Sequence, residues 1–174
     1  MTSVPPKASG FTLIELIIVI TLSVMLMLTA STLFLTLLIG NTKTAASQLI
    51  KSEGTVAINQ IEFLLRNAIS VTSCTGSTNS FTFKSIDGGT TTLTAIQDPS
   101  DNKYKIASNS SKFLTSGSVD LVNDNINFSC TKGSGGLTQY VTVSFTLRKG
   151  TPGIDQARDI VSQDFAAGVT VRSH

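Results

Sequence analysis

The sequence is poor in the residues that most chemistry requires. It has no Trp, one His, two Cys and four Pro, and only 14% of its 174 residues are charged. The single histidine, His174, and two distant cysteines lack the ligand spacing of a zinc site. Nucleophilic catalysis needs a base held beside a Ser or Cys, and a terminal histidine is a poor candidate for that base. No glycine-rich phosphate loop stands between a strand and a helix. These absences predict a non-enzyme with no cofactor and no metal.

Charge of either sign is thin as well. The formal net charge is +2, which leaves no electrostatic footprint for nucleic acid. One exception stays open, a local patch formed on folding from Lys103, Lys105, Lys112, Lys132, Arg148 and Lys149. The acidic residues Asp98, Asp101, Asp120 and Asp124 match no EF-hand loop and read more simply as turn residues than as calcium ligands.

Charge is missing altogether between Leu16 and Thr42, and there Leu, Ile, Val, Met and Phe dominate as far as Ile39. A window of about 20 apolar residues crosses a bilayer core as a helix. The chain therefore divides into an anchor and one domain with its own core. Ser, Thr, Gly and Asn crowd the second half, as suits a secreted β-rich module.

Three readings of the apolar segment compete: a secretory signal peptide, a plain membrane anchor and a processed filament segment. A signal peptide has an apolar core of roughly 7–15 residues and a small-residue cleavage site after it. This run is longer, and no clean Ala-x-Ala pattern follows. A plain anchor leaves Glu15 unexplained, at the start of the run between Ile14 and Leu16. A carboxylate costs about 2.5–3.5 kcal/mol at a bilayer centre, and close to nothing at headgroup level.

The residues around Glu15 decide between them. Lys7-Ala8-Ser9-Gly10-Phe11-Thr12-Leu13-Ile14-Glu15-Leu16 resembles the processing motif of type IV prepilins and pseudopilins. In that family a basic leader ends in Gly, Phe usually follows, and a Glu lies five residues into the mature chain. The likeness covers about Lys7 to Ile39. It implies cleavage between Gly10 and Phe11 by a prepilin peptidase on the cytoplasmic side and N-methylation of Phe11. It also implies a role for Glu15 in assembly register, as partner of a neighbouring subunit's α-amino group. Lys7 agrees with a positive-inside orientation.

Past Ile39 the periodicity predicts more helix. Leu49, Ile50, Ala57, Ile61, Leu64, Leu65, Ala68 and Ile69 recur at three- and four-residue spacings, which make one face. Glu62 and Arg66 stand at i, i+4. Gly40 and Gly54 read as points where this helix can bend. From Val71 the period becomes two. Phe81-Thr82-Phe83 and Leu93-Thr94-Ala95-Ile96 flank Asp87-Gly88-Gly89 as a hairpin, and Asp98 to Asn102 form a turn before a strand at Tyr104 and Ile106. Ile126 to Cys130, Tyr140 to Leu147 and Val169 to Arg172 supply further strands, the first two joined by a loop at Gly133 to Gly136.

The expected fold is α+β, a long N-terminal helix packed on an antiparallel sheet. Its divisions are a cleaved leader over 1–10, an anchor or filament-core helix over 11–39, an amphipathic continuation over 40–72 and an extracytoplasmic β-rich domain over 73–174. Cys74 falls at the predicted helix end and Cys130 late in a strand. Outside the cytoplasm they form one bridge or remain two buried thiols.

The expected function is a structural subunit, a minor pilin or pseudopilin of a type IV pilus, type II secretion or competence filament. Its partners would be other subunits through their N-terminal helices, the prepilin peptidase and methyltransferase, and the cytoplasmic membrane. Nucleic acid enters only if the filament serves competence. The single-pass chain would move from the inner membrane to the cell surface. The alternative is a membrane-tethered extracellular binding module that does not polymerise; a tip adhesin or DNA receptor is compatible with the first reading.

Overall fold

A helix begins where a short polar side chain can cap it and where apolar residues follow without Gly or Pro. The computed structural model describes residues 10–72, 76–132, 138–155 and 160–172, and there α1 runs Leu13–Arg66. Two compact units divide the chain at Asn41 and Thr42, and α1 contributes to both.

In the first unit every described residue is exposed. This part of α1 is long and apolar enough to cross a membrane. Its six hydroxyls are each settled inside the helix. Thr21, Ser23, Thr29, Ser31, Thr32 and Thr36 all donate to a backbone carbonyl three or four residues earlier, at 2.7–3.1 Å. Such internal pairing leaves no unsatisfied side-chain donor to penalise an apolar surrounding.

In the second unit α1 buries Ala46, Ile50, Gly54, Ala57, Ile61 and Leu65. The spacings of four, four, three, four and four place all six on one stripe. Leu49 and Leu64, expected on that face, flank it half-buried. The helix was expected to reach residue 72, and it stops at Arg66. Both the amide N–H and the side-chain Nδ2 of Asn67 donate to the Phe63 carbonyl, at 3.2 and 2.9 Å. The following residues, β1 (Ala68–Val71), pair in a sheet, Val71 opposite Phe83. A strand partner supplied from farther along the chain overrides local helical spacing.

The expected single sheet is two. The first contains β1, β3 (Ser80–Ser85), β4 (Thr90–Gln97), β5 (Tyr104–Ser108) and β6 (Lys112–Phe113), in the order β1-β3-β4-β5-β6. The second contains β2 (Gly76–Thr78), β7 (Asp120–Lys132), β8 (Thr138–Lys149) and β9 (Val161–Arg172), in the order β2-β7-β8-β9. All pairs are antiparallel. The β3–β4 hairpin turns where expected, at Asp87 to Gly89; of its two glycines only Gly88 takes a left-handed φ, +84°. The strand expected over Val169 to Arg172 starts eight residues earlier, at Val161.

The core joins the helix stripe to inward residues of both sheets. Phe81 stacks on Phe128 with ring centroids 5.3 Å apart, and Phe83, Leu93, Ile106, Leu121, Ile126 and Leu147 are fully buried around them. Gly54 is part of this core rather than a bending point. A Cβ there would fall inside the Phe165 ring, which stacks on Phe145 at 5.5 Å. Gly40 has open space around it and remains a place where the helix can bend. The expected pair of Glu62 and Arg66 forms at 3.4 Å on the exposed face.

Candidate functional site

The N-terminal motif has a defined geometry from Gly10 onward; Lys7 lies outside the described residues. Gly10, Phe11 and Thr12 precede the first helical residue in non-helical backbone, and Phe11 is 79% exposed. Thr12 is the cap. Its Oγ1 accepts from the Glu15 N–H at 3.4 Å, and its carbonyl accepts from Glu15 and Leu16 at 3.1 and 3.3 Å. Thr12 and Glu15 thus stand at the N-cap and third helical positions, the spacing of a capping box. Glu15 lies in the first turn, where a carboxylate meets the positive end of the helix dipole.

Thr12 was not among the residues singled out from sequence, although the Thr-x-x-Glu spacing was there to be read. The result is a peptide bond between Gly10 and Phe11 that is exposed and two residues outside the helix. A bond there needs no unwinding to reach a protease.

Three of the four acidic residues weighed as calcium ligands have other partners. Lys105 is buried, 5% exposed, and its ammonium contacts both Asp98 and, at 2.8 Å, Asp101. The Lys105 hydrogen bond, followed by bonds from the Ser100 amide and hydroxyl, lowers the Asp98 pKa to about 2. The same lysine bond lowers Asp101. Burial alone would depress Lys105, but its bonds to Asp101 and Asp98 outweigh it and leave the lysine raised. Asp120 accepts from Arg148 Nη2 at 2.7 Å and from the Tyr104 amide at 2.9 Å. Asp124 sits inside β7 with φ +53° rather than in a turn between strands. Among the described residues no three metal-ligating side chains gather.

Five of the six basic residues weighed as a patch fall in three settings. Lys103, Arg148 and Lys149 line one recess of about 300 Å³, shared with Asp120 and Asp155. Lys112 lines a separate groove with Val56, Phe63 and Leu114, and Lys105 is consumed by its two aspartates. Cys130 is buried and disulfide-bonded. Cys74 and His174 lie outside the described residues.

Among protein families, the prokaryotic N-terminal methylation motif matches residues 5–31. The match takes in the Gly10–Phe11 bond, Glu15 and about two thirds of the exposed apolar helix. Over that span the chain is similar to type IV prepilins. Its layout, one long helix on antiparallel sheets, is the α+β arrangement of type IV pilins. The matched span is less than a sixth of the sequence and lies wholly in the first unit. Neither a curated protein nor a solved structure matches the chain.

Proposed function

We propose that this chain is a structural subunit, a minor pilin or pseudopilin, of a filament of the type IV pilus, type II secretion or competence kind. The observation that carries the reading is the methylation motif at the start of an exposed helix that carries no charge from Leu16 to Thr42. In this reading the prepilin peptidase cuts between Gly10 and Phe11 on the cytoplasmic side, and the new amino group of Phe11 is methylated. Gly10 suits the cut because a residue without Cβ lets a protease approach the backbone closely. The helix then anchors the subunit in the inner membrane with its domain outside, and later bundles with the helices of other subunits.

Glu15 supplies register in that bundle. A carboxylate among apolar helices needs a cation, and the α-amino group of a neighbour's Phe11 is the one the motif provides. The chain acts on no substrate and holds no cofactor in this account. Nucleic acid would be a partner only in a competence filament.

Cys74 and Cys130 form the one bridge. Gly76 stands opposite Cys130 in the β2–β7 register, so the chain two residues past Cys74 already runs beside it. Closing a loop of this size contributes about 4 kcal/mol in the chain-entropy view. Thiol titration of unreduced protein under denaturant would return no free thiol; two would remove the bridge.

The deciding experiment is intact mass and N-terminal sequencing of protein from cells with a working prepilin peptidase. The expected chain begins at Phe11 with one added methyl group. A chain retaining Met1 to Gly10 would instead favour a tethered, non-polymerising module. In parallel, Glu15→Ala is expected to insert in membranes yet be absent from sheared filaments, and its normal incorporation would remove the register role.

A further inference from the structure

The second unit leaves an apolar groove uncovered beside its helix. Large apolar side chains grouped on a surface are informative where single ones are not. Phe63 is 67% exposed, and Val56, two helical turns before it on the same face, is exposed as well. With Leu64 and Leu114 they line a groove of about 420 Å³. Lys112 is the single charge in its lining, and among the described residues no carboxylate reaches that lysine.

Apolar walls beside one unpaired cation suit an exposed aliphatic side chain that stands next to a carboxylate. The tip of the β3–β4 hairpin offers that pair. Ile86 is 77% exposed and is followed by Asp87. Two backbone bonds close the tip, from the Ser85 N–H to the Gly89 carbonyl at 2.8 Å and from the Gly88 N–H to the Ser85 carbonyl at 3.0 Å. Asp87 Oδ1 accepts from the Gly89 amide at 3.0 Å, while Oδ2 has no partner among the described residues. A tip held in this way loses little conformational freedom on docking. Ile154 and Asp155 are a second exposed pair, but Asp155 already shares a recess with Lys103, Arg148 and Lys149 of its own chain.

We propose that the groove receives the hairpin tip of a second copy of this chain, Ile86 against Val56 and Phe63 and Asp87 against Lys112. A chain's own tip does not fill its own groove, since Ile86 is exposed and is absent from the lining. An anionic lipid surface is a poorer occupant, because recognition of that kind takes a cluster of basic residues and the groove has one. Groove and tip are different patches, so each copy gives one and receives the other. The proposal rests on the surface of the second unit and not on the filament reading; it requires only that two copies meet.

The test is photo-cross-linking of the full chain in the membranes of expressing cells, with the exposed Phe63 replaced by p-benzoyl-phenylalanine. Illumination is expected to give a product of twice the chain mass, in which position 63 is joined to the tryptic peptide Ser85–Lys103. Ile86→Ala, Asp87→Lys and Lys112→Glu should each lower its yield at least fivefold. A Lys112→Glu copy carrying the photoprobe, expressed with an Asp87→Lys copy, should return the yield to within twofold of the parent. That rescue requires both variants to be folded, which separates a lost contact from a lost fold. No doubled product, a join to another peptide, a join to a different protein, or no rescue by the exchanged charges would each overturn the second copy as occupant. Intact mass of the uncross-linked protein reads leader processing in the same sample, so this contact and the filament reading can fail separately.

Discussion

One helix lives in two chemical settings. Before Asn41 its side chains are mainly apolar on every side and all exposed; from Ala46 to Leu65 a single stripe is buried, flanked by half-buried Leu49, Ile58 and Leu64, and the far side is exposed. A helix apolar all round seeks a continuous apolar surrounding, whereas a striped helix seeks one covering layer. The second need is met within the chain by two sheets. The first is not met by any described residue, and that need is what membrane and filament neighbours answer in the proposed function.

Substitutions at equivalent residue types should separate the two settings sharply. Ile61→Ala removes a fully buried side chain and is expected to destabilise the domain by about 2–5 kcal/mol. Leu26→Ala, 69% exposed, should leave domain stability unchanged. Hydrogen exchange of the β7 and β8 amides in micelles reads both. Equal effects would erase the distinction.

The glycines give the next contrast. Gly54→Ala pushes a methyl group into the Phe165 ring and should cost about 1–3 kcal/mol, as overpacking does. Gly40→Ala meets nothing and should strengthen the helix locally by about 0.5–1 kcal/mol. Calorimetric midpoints that move in opposite directions would bear this out. A shared direction would return Gly54 to the role of a bending point.

Acid should unsettle the second unit through Asp98. Its folded pKa is lowered to about 2 from 3.8, so between those values the unfolded chain binds more protons. The contribution is therefore complete above about pH 4 and is lost as pH falls through 2. On the basic side Lys105, raised by its aspartates, keeps its contribution until pH passes above the ordinary lysine range. Melting temperatures from pH 5 to pH 2 should fall less steeply in Asp98→Asn than in the parent; parallel slopes would discard the pair as the cause.

The smallest effect belongs to the cap. Thr12→Ala should loosen the first turn by about 1 kcal/mol, seen as faster exchange of the Glu15 amide, with the domain untouched. An unchanged amide would leave the cap without a role.

What the residues disclose differs between the units for a physical reason. The N-terminal methylation motif and the span of the apolar helix are legible because each is local: a short motif and a run of one polarity. The strand pairs beside Asp87 to Gly89 and at Tyr140 to Leu147 are legible as alternation. The helix end was not, because Ala68 and Ile69 continue the helical spacing while Ser85 and Lys84, farther along the chain, pair with Ala68 and Ser70 as strand. Division into two sheets was also hidden, since alternation does not say which strands share a sheet. Nor could spacing reveal that Gly54 makes room for Phe165, or that Lys105 is the cation between Asp98 and Asp101. Those are meetings of residues distant in sequence or of a turn with its strand. The Thr12 cap was readable and passed over.

The hydroxyls of the exposed helix have one more consequence. Thr21, Ser23, Thr29, Ser31, Thr32 and Thr36 each spend their proton on the turn beneath them. None of these hydroxyls is owed a partner by whatever surrounds the helix. Such a helix can exchange acyl chains for the side chains of a neighbour, and exchange them back, without a hydrogen bond being broken at either step. Reversible passage between two solvents is then limited by shape and by the one carboxylate at its start.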